Sequence, residues 1–535
     1  MLISSSSNHI TPQNYHSIII KLIKQCKTIS QLHQLHAYTI TNTPLSFHSS
    51  HSLLTKFLYT LTTKAKSSTS LLGYAKSIFN SIQNPSTFCY NTIIRVHTLL
   101  SLPVPALHFF TQMRRLSVPL DSHSFPFTLK ACAQLGGVFL ARCLHSQVLK
   151  FGFLSDLYVM NSLIHGYMVS DMSNDACKVF DESPQRDVVS YNVLIDGFVK
   201  AGDVVKAREL FDLMPVRNSV SWNTIIAGCA KGDYCEEAIE LFDFMVDLEI
   251  RPDNVALVST LSACAQLGEL EKGKKIHDYI ESNAMKVDTF LSTGLVDFYA
   301  KCGCVDVALK IFDSSSDKNL FTWNAMLVGL AMHGYGELLL EYFSRMIEAG
   351  VKPDGISILG VSVGCSHSGL VDEARKLFDV MESVYGVPRE PKHYGCMADL
   401  LGRAGLIKKV MEMIKDMPRG DDMSVWSGLL GGCRIHGDVE IAEKAAKHLM
   451  ELKPDDGGVY SILANVYANA ERWEDVMNIR RSLSSNRVVT KIAGFSLIQL
   501  DGVAREFIAG DRLHSESDKI YLVLNGIREH QSELS

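Results

Sequence analysis

VVSYNVLIDGFVKAGDVVKARELFDLMPVRN (Val188–Asn218) is followed at once by SVSWNTIIAGCAKGDYCEEAIELFDFMVDLEIRPD (Ser219–Asp253). Laid one under the other, Tyr191-Asn192 falls on Trp222-Asn223, Leu194-Ile195 on Ile225-Ile226 and Ala207 on Ala238. Leu210-Phe211 falls on Leu241-Phe242, and Met214 on Met245. Self-similarity at a period of about 31 to 35 residues marks a repeat architecture. Each unit holds two stretches with apolar residues at i, i+3, i+4 and i+7, Tyr191–Val199 and Val204–Met214. That spacing predicts amphipathic helices, with Gly202-Asp203 stopping one and capping the next. A helical hairpin of this kind cannot bury its apolar face alone, and stacking on its neighbours solves the problem.

The register extends in both directions. Units run Thr87–Asp121, Ser122–Asp156, Leu157–Asp187, Val188–Asn218, Ser219–Asp253, Asn254–Asp288, Thr289–Asn319 and Leu320–Asp354, then Gly355–Glu390 and Pro391–Asp421. Residues 14–86 read as two degraded units, with Thr62–Ser70 as an enlarged loop between helices. Residues 422–488 hold two further helical units, and residues 489–535 a shorter segment with a tail. Within it, Ser496–Ile508 alternates as a hairpin does, with Asp501-Gly502 as the turn.

With 535 residues, 47% hydrophobic and 21% charged, the chain is too long and too apolar for disorder or a single core. A net charge of −6 gives no support to a sequence-blind polyanion binder. The thirteen cysteines are scattered, and Cys132, Cys264, Cys365 and Cys433 fall inside helical patterns, which suits buried thiols in a reducing compartment. No apolar run approaches the length that crosses a bilayer, so no membrane partner is expected. The leader, residues 1–13, is Ser-rich and acid-free like an organelle transit peptide, although Arg is absent until Arg95. A frayed segment ahead of the first repeat is the alternative.

FTWNAMLVGLAMHG at Phe321, GLVDFYAKCG at Gly294 and HYGCMADLLGRAG at His393 carry a family resemblance. The array resembles plant pentatricopeptide repeat (PPR) proteins of the subclass that mixes ordinary, long and short repeats. The Trp-x2-Leu-Gly-x2-Tyr signature of the tetratricopeptide repeat, which has a similar period, is missing. The resemblance implies an all-α fold, a right-handed superhelical solenoid of helix-turn-helix repeats. Residues 422–488 resemble the E motifs, and residues 489–535 the E+ segment, that follow the repeats in RNA-editing members.

The resemblance also implies the chemistry: one nucleotide of single-stranded RNA read per repeat by a few side chains. The family assigns that role to the fifth and the last residue of each unit. Here the pairs are Asn91/Asp121, Asn161/Asp187, Asn192/Asn218, Asn223/Asp253, Thr293/Asn319 and Asn324/Asp354. In the family Asn with Asp favours U, Asn with Asn favours C, and Thr with Asn favours A. From Thr87 the units then read U, any, U, C, U, any, A, U, with 5′ at the N-terminal end. The "any" units carry Pro126 and Val258 at the fifth position. The second residues, Phe88, Tyr158, Val189, Val220, Phe290 and Phe321, are placed to stack between bases at roughly 1–3 kcal/mol each. Two alternatives stand beside this reading. Asn near a helix start, or Asp after Pro as in Pro252-Asp253, also serves as an N-cap. The valines also suit a packed core.

No catalytic residues, metal site or cofactor are expected. His514-Ser515-Glu516 matches the H-x-E of zinc deaminases, but no P-C-x-x-C follows it. Cys302-Gly303-Cys304 has the wrong spacing for a zinc pair. By resemblance the chain is a specificity factor for C-to-U editing of organellar RNA, in the mitochondrion or alternatively the chloroplast. A DYW-type cytidine deaminase is expected in trans, together with small editing accessory proteins. An RNA stabilisation, processing or splicing factor is the second reading, and a protein–protein scaffold a third.

Overall fold

The computed structural model describes residues 12–26, 28–42, 47–64, 69–417, 422–485, 495–500, 503–508 and 510–533. It is built from helical hairpins, and the chain divides into two compact units, one up to Thr260 and one from Leu261.

The first unit opens with α1 (Pro12–Gln25), α2 (Ile29–Asn42), α3 (Phe47–Lys64) and α4 (Thr69–Ser81). Then come α5 (Thr87–Leu99) with α6 (Pro103–Arg115), and α7 (Ser124–Gln134) with α8 (Val138–Lys150). Three more hairpins follow: α9 (Leu157–Val169) with α10 (Ser173–Glu182), α11 (Val188–Lys200) with α12 (Val204–Asp212), and α13 (Ser219–Lys231) with α14 (Cys235–Asp247). Helix α15 (Asn254–Leu267) contains the residues at which the division falls.

The second unit continues with α16 (Leu270–Ser282), then pairs α17 (Thr289–Lys301) with α18 (Val305–Ser314) and α19 (Leu320–Met332) with α20 (Gly336–Glu348). Next are α21 (Gly355–Ser368) with α22 (Val371–Val380), and α23 (Pro391–Arg403) with α24 (Ile407–Asp416). Helices α25 (Met423–His436), α26 (Val439–Leu452), α27 (Gly457–Asn469) and α28 (Trp473–Ser485) complete the row. Strands β1 (Phe495–Leu500) and β2 (Val503–Ile508) form an antiparallel hairpin in register from Phe495↔Ile508 to Leu500↔Val503. The turn expected at Asp501-Gly502 lies outside the described residues, as does residues 1–11 of the leader. A last helix, α29 (Ser517–Glu533), stands where the sequence led us to expect a tail. Its start at Ser517-Asp518, with apolar residues at Ile520, Val523, Leu524 and Ile527, is a helical signal in retrospect.

The hairpin of α11 and α12 shows how the sequence sets one turn. Gly202, at φ +81°, takes the left-handed conformation that ends α11. The Asp203 carboxylate then accepts the Lys206 N–H at 3.1 Å and caps α12. Packing repeats as faithfully as the turn. The first helices touch in sequence, α5 on α7, α9, α11 and α13 in the first unit, and α17 on α19, α21, α23, α25 and α27 in the second. An aromatic residue at the fourth position of a first helix meets a Phe of the preceding second helix edge to face. Phe180–Tyr191 and Phe211–Trp222 have centroids 4.9 Å apart, and Phe312–Trp323 4.7 Å. Each such pair adds roughly 0.5–1.5 kcal/mol beyond area burial. Where α23 meets α25 the backbones themselves touch: a Cβ on Gly432 would lie 2.5 Å from Gly402 Cα.

One expectation is corrected. The enlarged loop expected over Thr62–Ser70 is helical at both ends, with α3 reaching Lys64 and α4 starting at Thr69; residues 65–68 lie outside the described residues. Helix α3 continues through Thr62 and Thr63, whose hydroxyls donate back to the carbonyls of Tyr59 and Thr60 at 2.9 Å each. Those bonds satisfy the hydroxyls inside a helix, so a threonine-rich stretch need not break one.

Candidate nucleic-acid interface

Residues two and five of a helix lie three apart and share one face. In α5 those are Phe88 and Asn91, in α9 Tyr158 and Asn161, in α11 Val189 and Asn192. Helix α13 places Val220 and Asn223 alike, α17 Phe290 and Thr293, and α19 Phe321 and Asn324. The last residue of each of these six units sits at or just before the head of the next first helix. Because the first helices pack side by side, it comes level with the fifth residue of the helix before.

The pairs meet there. Asn91 Nδ2 donates to Asp121 Oδ1 at 2.8 Å, Asn223 Nδ2 to Asp253 Oδ2 at 2.6 Å and Asn324 Nδ2 to Asp354 Oδ1 at 3.1 Å. Asn161 to Asp187 and Asn192 to Asn218 are looser, at 3.4 Å. The sixth pair does not meet. Thr293 Oγ1 lies 2.7 Å from Thr322 Oγ1, and that hydroxyl in turn reaches Asn319 Oδ1 at 3.1 Å. A threonine side chain is too short to span the gap that an asparagine bridges.

The N-cap alternative is half right. None of the fifth residues caps a helix; each lies one turn inside. Five of the six last residues do cap: Asp187 accepts the Ser190 N–H, Asn218 the Ser221 N–H, Asp253 the Ala256 N–H, Asn319 the Thr322 N–H and Asp354 the Ser357 N–H. Among the described residues the Asp121 carboxylate, by contrast, accepts only from the side chains of Asn91 and Ser124. Capping and pairing therefore use the same side chain. Sequence reading missed the neighbour that takes part, the hydroxyl at the third position of the following helix. Asp187-Val188-Val189-Ser190 is a capping-box pattern and would have pointed to it.

Burial raises the Asp187 carboxyl, but the N–H and hydroxyl of Ser190 and the Asn161 amide outweigh it, so its pKa falls below 3.8. Asp354 is lowered in the same way by Ser357, Asn324 and Ile356 against its own burial. Both are carboxylates, hence acceptors, at neutral pH. The carbonyl oxygens of Asn91, Asn161, Asn192 and Asn223 are buried with no hydrogen-bond partner among the described residues. Leaving such a group unpaired costs about 1–3 kcal/mol.

The second residues are not in the core. Phe88, Tyr158, Val189, Val220 and Phe290 are each about half exposed, and Phe321 is 70% exposed. The packed-core role considered for the valines is excluded by that exposure. Apolar side chains held open at a regular interval form a row beside the paired residues.

Elsewhere the chemistry is quiet. Among the described residues no cluster of three His, Cys, Asp or Glu side chains is placed to hold a metal ion. His514 Nδ1 accepts the Glu516 N–H at 3.1 Å, a local turn contact. Burial pushes the Cys302 thiol up to about 11, away from thiolate reactivity. No helix among the described residues is long and apolar enough to cross a membrane.

Comparison with known proteins shows the family. Models of the PPR repeat match residues 158–188, 184–215, 321–351, 363–384 and 392–421, and that of the PPR repeat family matches 217–266. The chain is 57% identical over 488 residues to pentatricopeptide repeat-containing protein At5g61800 of Arabidopsis thaliana, covering 89% of this chain and 98% of that one. The chain belongs to the pentatricopeptide repeat family. Its PPR array is followed by a match to the E motif at residues 436–499. Another PPR relative from Arabidopsis thaliana, At1g59720, described as chloroplastic/mitochondrial, is 34% identical over 98% of this chain and 78% of its own. Among solved structures, maize PPR10 in complex with an 18-nt psaJ RNA element is 16% identical, with a TM-score of 0.43 over 89% of this chain and 80% of that chain.

Proposed function

We propose that this protein is a sequence-specific single-stranded RNA-binding factor for C-to-U editing of an organellar transcript. The observation that carries the reading is the repeated pairing of a fifth-position Asn with the following cap residue, beside a half-exposed apolar side chain. A helix stack needs no such row. Bases inserted between successive apolar side chains would bring their Watson–Crick edges to the paired polar groups.

The donor and acceptor inventory then sets the letters. A carboxylate oxygen accepts from N3–H of uracil. An asparagine Nδ2 donates to N3 of cytosine or N1 of adenine. Thr293, smaller than Asn, leaves room for the purine. The track is U-x-U-C-U-x-A-U, and each well-read base adds roughly 1–3 kcal/mol of discrimination by analogy with base-edge contacts in DNA. The E motif at 436–499 favours editing over protection of the transcript. In this reading the segment after Asp421 recruits a DYW-type deaminase in trans, and the chain itself supplies no catalytic group. Mitochondrial residence is proposed, with the chloroplast as the alternative.

Two measurements test the proposal. Purified protein should bind the U-x-U-C-U-x-A-U oligonucleotide at least tenfold more tightly than a scrambled one, and equal binding overturns base reading. Organellar RNA from plants lacking the protein should lose C-to-U conversion at a site downstream of such a track. Intact editing at every site, with a transcript lost instead, moves the assignment to RNA stabilisation, processing or splicing.

A further inference from the structure

The protein's own bonds to each cap residue fall into two patterns. Asp121 receives Asn91 Nδ2 and Ser124 Oγ on the same oxygen, Oδ1. Asp187 receives Asn161 Nδ2, Ser190 N–H and Ser190 Oγ, all on Oδ1. Asp354 collects Asn324 Nδ2 and the N–H groups of Ile356 and Ser357 on Oδ1, and Ser357 Oγ stands between that oxygen, at 3.0 Å, and Asn324 Oδ1, at 2.6 Å. In Asn218 and Asn319, Oδ1 takes both the N–H and the hydroxyl of Ser221 and Thr322. Among the described residues the second polar atom, Oδ2 of these aspartates or Nδ2 of these asparagines, makes no hydrogen bond.

Asp253 is the exception. The third residue of the following helix is Ala256, which has no hydroxyl. Here Oδ1 takes the N–H groups of Val255 and Ala256, and the Asn223 amide goes to Oδ2 at 2.6 Å. Both oxygens are occupied by the protein. The two units whose fifth residue is Pro126 or Val258 are followed by Val159 and Leu291 at this third position, neither of which carries a hydroxyl.

We propose that Ser124, Ser190, Ser221, Thr322 and Ser357 are positioning residues for base selection, which gather the protein's donors onto one oxygen of the cap residue and keep its second polar atom for the base. The inference rests on the base-reading function proposed above. These hydroxyls are buried, at 0–3% exposure, so they act through the cap residue and do not touch RNA. The reciprocal bond from the cap residue's own N–H to the hydroxyl, 3.3 Å at Asp187 and 3.3 Å at Asn218, fixes the cap backbone as well. For Asn218 and Asn319 the arrangement also sets which end of the amide faces outward.

The test uses the full chain and oligonucleotides carrying each of the four bases, or an abasic sugar, opposite one unit. Ser190→Ala should flatten the preference for U at the unit Leu157–Asp187, whose last residue it holds, by threefold or more, leave the ranking at other units unchanged and lose no affinity for the abasic RNA. Ala256→Ser should do the reverse at the unit Ser219–Asp253, sharpening its preference for U by threefold or more. Ser190→Thr should retain the parent ranking. A uniform loss of affinity for every oligonucleotide with Ser190→Ala, and no change with Ala256→Ser, would make the hydroxyl a helix cap alone and overturn the proposal. Asn161→Ala and Asn223→Ala separate the two ideas. Should they also leave the base ranking untouched, base reading itself fails; should they abolish it while the hydroxyl variants do nothing, only the present inference falls.

Discussion

Asn223 Nδ2 donates to Asp253 Oδ2 at 2.6 Å, and the two residues lie 30 positions apart in the chain. Neither could reach the other from within a single hairpin. The bond exists because α13 is followed, one hairpin later, by a first helix that opens at Asn254 with Asp253 as its head. The fifth residue and the last residue thus form one hydrogen-bonded pair that spans a boundary between repeats.

Thr293→Asn should therefore restore a direct bond to Asn319, as Asn192 makes to Asn218. The unit from Thr289 should shift its preference from A toward C, by roughly 1–3 kcal/mol. Binding to oligonucleotides varied at that base measures the shift, and an unchanged ranking counts against base reading there.

Phe321 is 70% exposed, so truncating it removes little from the core. Phe321→Ala should lower RNA affinity by roughly 1–3 kcal/mol without changing the order of bases and without moving the melting temperature. Val220→Ala should have a smaller effect of the same kind, because less surface is lost. A fall in stability to match the fall in affinity would return these side chains to a structural role.

Asp354 carries the pH dependence. Its folded pKa lies below the ordinary value of 3.8 because bonds from Ser357, Asn324 and Ile356 outweigh burial. A depressed carboxyl contributes stability that is present above the unfolded pKa and is lost as pH falls through the folded one. Asp354→Asn removes that proton linkage, so the variant should lose less melting temperature than the parent between about pH 5 and pH 3. The same substitution should move the unit from Leu320 from U toward C.

Arg217 lies over Phe211, 4.8 Å from the ring centroid, and donates to the carbonyls of Phe211 and Asp212 at the end of α12. Arg186 repeats the arrangement on Phe180, and Arg389 on Phe378. The guanidinium satisfies carbonyls that the helix leaves open and stacks on an aromatic face. Arg217→Ala should cost about 1–2 kcal/mol, seen as a lower denaturation midpoint, whereas Arg217→Lys should recover part of it.

The helices were legible because each hairpin repeats one pattern: the apolar stretch Tyr191–Val199 lies inside α11, and Gly202-Asp203 ends and restarts the chain as their types dictate. The start of α11 at Val188, three residues earlier, follows from the Asp187 cap, which apolar spacing does not register. Helix α29 went unread because its first turn follows a hairpin and belongs to no repeat. At the interface, the fifth and last residues were named from resemblance, but their hydrogen bond was hidden by a separation of 26 to 30 residues. Thr322 standing between Thr293 and Asn319 was hidden for the same reason. The half exposure of Val189 and Val220 was also out of reach, since an apolar residue in an apolar helix gives no sign of the face it occupies.

The cap residue that pairs with Asn192 is Asn218, and it already opens the next hairpin. In the proposed reading a letter of the code is accordingly owned by a seam. On that reading, recombination that joins repeats at that seam would write new letters from inherited halves, while an exchange within a second helix would move each letter whole. A chain spliced from such repeats would then gain new vocabulary or keep the old according to where the crossover lands.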